Sequence, residues 1–141
     1  MTGGPVKDLP IEGGCLCGAV RYRASAPPLN TSFCHCRLCQ RASGAPVVAW
    51  VTFAADDFAV VQGEPAAYAS SAEAVRQFCG RCGTQLTFQH RELLQEMDVT
   101  GASLDAPDAF PPRDSIWSAS RRSYVGAIDK HLKVFEEGRD D

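Results

Sequence analysis

The chain has 141 residues, 45% of them apolar and 22% charged, the make-up of one ordinary globular domain and not of a disordered, collagen-like or repeat chain. Its formal net charge of -3 argues against a nucleic-acid partner held through its phosphates, because that affinity comes from clustered lysines and arginines. The longest apolar run, APVVAWVTFAA at 45–55, is too short to span a bilayer, and the opening MTGGPVKDLPIEGG has no signal-peptide core, so no membrane partner and a cytoplasmic location are expected.

In chain order, residues 1–12 read as a loose leader. AVRYR at 19–23 then alternates, with Val20 and Tyr22 on one face and Arg21 and Arg23 on the other, the pattern of a half-buried strand. The one convincing helical stretch is CRLCQRAS at 36–43, about two turns ended by Gly44 and Pro46. Five further runs have strand length and β-forming composition: VVAWVTF at 47–53, FAVVQ at 58–62, AVRQFC at 74–79, TQLTFQ at 84–89 and MDVTG at 97–101. SLDAPDAFPPRDSIW at 103–117 holds three prolines and is expected to run as extended loop. EEGRDD at 136–141 reads as an acidic tail, which leaves 13–135 as the domain. The expected architecture is all-β and mainly antiparallel, with one short helical element.

Seven cysteines in a reducing compartment point to metal or redox chemistry before disulfides, and an odd number cannot pair fully within one chain. They fall into three clusters: Cys15 and Cys17, then Cys34, Cys36 and Cys39, then Cys79 and Cys82. A tetrahedral zinc with bonds near 2.3 Å needs its sulfurs about 3.8 Å apart, which a C-x-x-C turn provides. The C-x-C spacing is about 6.6 Å at the backbone in a flat strand, so the chain must bend at Cys15 and Cys17, where Gly13, Gly14 and Gly18 permit it. Four plus three is the simplest partition. Two two-cysteine clusters make a closed structural site, and Cys34, Cys36 and Cys39 make a site with one coordination position to spare, the mark of a catalytic zinc. The competing reading is that both sites are structural.

His35, between two of these ligands, is expected to point away from them and to lie behind the ligands or at the surface. His90 and His131 read as ordinary surface residues. Iron-sulfur and thioredoxin-like roles are disfavoured, since the first wants four cysteines and the second a βαβ context.

The order GGCLCGAVRY, then CHCRLCQRASGAP with Trp50 shortly after, then FCGRCGTQL, then DVTGASLDAPDAFPP and IW, resembles the glutathione-dependent formaldehyde-activating enzyme family, whose relatives include centromere protein V. The likeness runs from about residue 13 to 124. It implies a zinc-stabilised β-tent fold with two zinc ions per chain, a structural one on Cys15, Cys17, Cys79 and Cys82 and an open one on Cys34, Cys36 and Cys39. It also implies a carbon-sulfur lyase or synthase reaction in which glutathione as cosubstrate joins formaldehyde to give S-hydroxymethylglutathione. Two positions depart from the usual pattern: Ser115 stands where a histidine is common, and Tyr124 stands near the place of a second tryptophan.

Three thiolates on a divalent zinc leave a net negative charge, which suits acceptance of a thiol better than activation of water. The expected partners are therefore a small thiol and a small aldehyde. Arg37 and Arg41 either offset that charge, or meet a substrate carboxylate, or form an exposed helical face; Trp50 and Trp117 either wall the pocket or belong to the core. A non-catalytic zinc-stabilised binding module, or an enzyme acting on a different thiol adduct, are the alternative functions.

Overall fold

Alternating side chains sort onto the faces of two sheets in a computed structural model that describes residues 8–128, 130, 132–137 and 139. Strands β1 (Ile11–Gly14), β2 (Arg21–Ala24) and β5 (Phe58–Gln62) form a small antiparallel sheet. The larger sheet has seven strands: β3 (Asn30–Cys34), β4 (Val48–Ala54), β6 (Ala66–Ser71), β7 (Ala74–Phe78), β8 (Gln85–His90), β9 (Glu96–Thr100) and β10 (Asp114–Ile116). Their spatial order is β10-β3-β4-β9-β8-β7-β6. Every pairing is antiparallel except that of β10 with β3. The one α-helix among the described residues, α1 (Arg37–Ser43), joins β3 to β4, with Cys36 as its N-cap and Gly44 as its C-cap.

Strand β4 shows why VVAWVTF is apolar without a break. Its odd positions, Val51 and Phe53, enter the core shared with Ile11, Val20, Tyr22, Ala24, Leu86 and Val99. Its even positions, Val48 and Trp50, pack instead with Cys34 and Cys39. A strand buried on both faces has no polar alternation to display. Strand β8 serves both faces by another route: Gln85 and Thr87 oppose the consecutive residues Phe78 and Gln77. This bulge at Leu86 lets Leu86 enter the core while Phe88 packs on the opposite face. The larger sheet thus has a core face against the small sheet and a second face carrying the three-cysteine cluster.

Several elements depart from the expectation. Strand β1 begins at Ile11, which is buried, so the last two residues of the stretch expected to be a loose leader belong to the sheet. Strands β3, β6 and β10 were not expected. AAYASS in β6 has weak β propensity, and its pairing with β7 along the sheet decides its conformation. The proline-rich 103–117 stretch is mostly loop, but Asp114–Ile116 adds to the edge of β3 in parallel. His131 and part of the acidic tail lie outside the described residues. No helix among the described residues is long and apolar enough to cross a membrane.

Phe53 is 0% exposed and Phe33, on β3 beside the short edge strand β10, is 40% exposed. Phe53→Ala is expected to cost about 3–5 kcal/mol of unfolding free energy, and Phe33→Ala less than about 1 kcal/mol, both read from denaturant midpoints.

Candidate metal centres

Two cysteine turns that are 62 residues apart in sequence meet where the two sheets join. Cys15 and Cys17 follow β1, and Cys79 and Cys82 follow β7. The Cys15 and Cys17 sulfurs lie 3.6 Å apart and those of Cys17 and Cys79 3.8 Å apart. All four lie within 4.8 Å of one another. The chain closes each turn at a glycine with positive φ, Gly18 at 80° and Gly83 at 83°, a conformation costly for any residue with a Cβ.

Backbone amides point at the sulfurs. Val20 N donates to Cys15 Sγ at 3.2 Å, and both Arg81 N and Cys82 N donate to Cys79 Sγ at 3.4 Å. Thr84 lies 3.3 Å from Cys82 Sγ and accepts from Leu16 N at 3.0 Å, tying one turn to the other. Its hydroxyl, together with nearby backbone donors, holds the Cys82 thiol down to about 5.

The second cluster gathers Cys34 at the end of β3, Cys36 at the helix N-cap and Cys39 inside α1, again with all sulfurs within 4.8 Å. Cys39 N donates to Cys36 Sγ at 3.3 Å, so the sulfur doubles as the helix cap. Cys39 is the member whose ionised form is favoured: hydrogen bonding from Cys34, then from Arg76, brings it down to about 5. Cys34 is pushed up in turn by Cys39 and by burial.

Among the described residues, no fourth histidine, cysteine or carboxylate joins this trio within the same 4.8 Å. His35 is buried and turns the other way, with Nε2 at 3.4 Å from Ser115 Oγ. Burial, and then the charge of Arg121, lower its pKa. The departure at Ser115 therefore sits against His35, behind the cluster. Gln40 braces this side, its Nε2 donating to the carbonyls of His35 at 2.6 Å and Ser120 at 3.1 Å.

Cys34, Cys36 and Cys39 open onto a cavity of about 450 Å³. Arg37, Trp50 and Trp117 line it. Trp50 is also core, with its ring centroid 6.0 Å from that of Phe88. Arg41 does not line this cavity; it faces an adjacent one of about 510 Å³ with Leu38 and Tyr68. His90, expected to be an ordinary surface residue, is on the cavity wall.

Sequence reasoning missed Glu73, Arg76, Phe88 and Asp98 on the same wall. They come from β7, β8, β9 and the turn before β7, and only sheet pairing brings them to the helix. Two of them carried a local signal: Arg76 takes the buried phase of AVRQFC, and Asp98 lies between Met97 and Val99 in a strand. Burial pushes the Asp98 carboxyl up to about 6 although Thr52 Oγ1 donates to it at 2.5 Å.

The donor chemistry suits metal binding at both clusters. All seven cysteines are free thiols, their sulfurs have the separation that tetrahedral coordination requires, and N–H groups are aimed at them as they would be at thiolates. The chain is thus a mainly β domain with two sulfur-only clusters that could hold metal ions, one welding the sheets and one facing a cavity.

The family model described as glutathione-dependent formaldehyde-activating enzyme matches residues 10–120, and the chain belongs to that family. It is similar to an uncharacterized lyase of Schizosaccharomyces pombe, with 36% identity over 80 residues covering 56% of this chain and 57% of that protein. It is also similar to a Halomonas elongata protein with the provisional name glutathione-dependent formaldehyde-activating enzyme, with 33% identity over 86 residues and 54% of each chain. The chain thus spans about half the length of the curated relatives it matches. A crystal structure of a Rhodobacter sphaeroides protein superposes with a TM-score of 0.59 at 27% identity, covering 74% of this chain and 98% of that one.

Metal analysis is expected to find one divalent ion per cluster. Cys36→Ser should lose one and stay folded. Cys82→Ser should unfold the domain, because a structural zinc contributes about 10 kcal/mol or more, comparable to the roughly 5–15 kcal/mol that holds a domain together.

A second expectation concerns Asp98. With its folded pKa raised to about 6 from 3.8, the folded state keeps a proton that the unfolded chain has already released, so stability falls as pH rises through that window. Asp98→Asn removes the penalty. Its thermal midpoint should exceed that of the wild type by an amount that grows from pH 4 to pH 6 and then levels, corresponding to on the order of 3 kcal/mol at pH 7.

Proposed function

We propose that this chain adds a thiol, glutathione, to formaldehyde or another small aldehyde to give an S-hydroxymethyl adduct, the reaction of an S-hydroxymethylglutathione synthase, a carbon-sulfur lyase in reverse. The observation that carries this reading is the placement of three convergent thiols, without a fourth ligand among the described residues, on the wall of a cavity large enough for a small substrate. In the reaction the thiol gives up its proton, a carbon-sulfur bond forms, and the carbonyl oxygen takes a proton to become a hydroxyl. No oxidant or reductant is needed.

A divalent zinc held by Cys34, Cys36 and Cys39 would supply a further position where an incoming thiol binds and ionises. The chain's own residues do the rest. Trp50 and Phe88 form the floor, and their packed rings exclude water from one side of the cavity. Arg37, held by Gln40 Oε1 at 2.5 Å, presents a cation at the wall for a substrate carboxylate. Asp98 is ionised over most of the neutral range, yet its pKa of about 6 is close enough for it to take the proton of the thiol and return it to the oxygen. Holding thiol and aldehyde together lowers the barrier chiefly by positioning.

Trp117 is 66% exposed at the cavity and adopts a left-handed backbone, φ 57° and ψ 36°. Non-glycine residues in that region carry strain, which concentrates at functional sites. Trp117 forms the exposed wall that flanks the bound substrate.

Formaldehyde loss with glutathione present, after subtraction of the spontaneous reaction, is expected to show an excess rate. Cys36→Ser should abolish it and Asp98→Asn should reduce it roughly 100-fold while leaving the fold more stable. Glutathione should also change the emission of Trp117, and Trp117→Phe should lose that change because Trp50 is already buried. Absence of any excess rate in the metal-loaded wild type would overturn the reading.

A further inference from the structure

Arg76 on β7 is 4% exposed. A guanidinium does not lose its charge in a protein, and an ion taken out of water must find a counter-charge or lose several kcal/mol. The usual partner is a carboxylate, but the only ion pair among the described residues joins Arg21 to Asp105. Asp98 lines the same cavity, yet its carboxylate is engaged by Thr52.

What Arg76 does meet is Cys39, to whose Sγ it donates from Nη2 at 3.5 Å. Its Cζ lies 4.8 Å from the ring centroid of Phe88, a weak counterpart for a buried cation. Among the described residues its Nε has no hydrogen-bond partner.

We propose that Arg76 is the built-in counter-cation of the Cys34, Cys36 and Cys39 centre, a positioning residue acting through Cys39. The proposal rests on the metal-binding reading of that centre. Three thiolates around a divalent ion carry one net negative charge, and one buried guanidinium cancels it. With a divalent ion bound, the three thiolates and Arg76 together would carry no net charge, which lessens the repulsion that a thiolate arriving as further ligand would meet. The ligand class this arrangement favours is an anionic sulfur donor over neutral water. The four-cysteine cluster has hydrogen-bond partners from backbone amides and Thr84, with no guanidinium among its described partners, as expected for a closed site that receives nothing.

The test compares wild type, Arg76→Met and Arg76→Lys, each loaded with cobalt in place of zinc and titrated with a competing chelator. In Arg76→Met the three-cysteine centre should bind metal about tenfold or more weakly and its thiolate-to-cobalt absorption should shift. The four-cysteine centre, as internal control, should be unchanged. Arg76→Lys, which keeps the charge, should recover most of the affinity, which a purely steric role would not produce.

Should Arg76→Met not fold, Cys39→Ser and Cys36→Ser carry the question with Arg76 intact, each compared with metal in the four-cysteine cluster and none in the altered one. Cys39→Ser strands the guanidinium and should melt at the lower temperature. Equal affinity and an unshifted spectrum in Arg76→Met, or equal melting of the two serine variants, would overturn the inference alone. A wild-type three-cysteine centre that takes up no metal would overturn both it and the functional reading.

Discussion

The contact on which the rest of the architecture depends is the sulfur quartet of Cys15, Cys17, Cys79 and Cys82. The small sheet has only three strands, two of them four residues long, near the lower limit for a stable sheet. It remains in place because its apolar face shares one core with the larger sheet and because β1 and β7 both run into the quartet. Drawing together turns 62 residues apart has a chain-entropy cost that a few weak thiol contacts do not offset, whereas a bound metal would. The exposed Arg21–Asp105 pair near the same joint is worth at most about 1 kcal/mol and cannot substitute.

With that joint set, the larger sheet is free to use its second face for chemistry. Its inner face is closed by apolar packing, and its outer face receives α1 and the Trp117 segment. Two polar residues then stand where packing alone would favour apolar ones. Arg76 is a buried cation beside thiols and Asp98 a buried carboxylate opposite Thr52. Each costs stability in isolation, and that cost is what a site built for charged ligands and proton transfer would tolerate.

Ser115 and Tyr124, set apart in the sequence, have distinct settings. Ser115 lies against the buried ring of His35 and Tyr124 is exposed, while the cysteine clusters are intact. Family membership therefore bears on architecture and donor sets more directly than on the molecule turned over. The stretch between those two positions shapes the cavity mouth, where β10 pairs in parallel with β3 and Trp117 takes its left-handed turn.

The cysteine partition, the short helix ended at Gly44 and the alternating strand at 19–23 were legible in the residues, because ligand spacing, helix termination and period-two burial are local properties of a chain. The all-β class was legible for the same reason. Strand β6 and the strand in the proline-rich segment were not, since AAYASS and DSI pair only because a neighbouring edge is offered to them. Nor was the cavity wall. Glu73, Arg76, His90 and Asp98 are separated from Cys34, Cys36 and Cys39 by some 30 residues or more of sequence, and only the register of β7 to β8, β8 to β9 and β9 to β4 sets them on one face. Donor identity is written in residue type; what surrounds the donors is decided by which strands lie side by side.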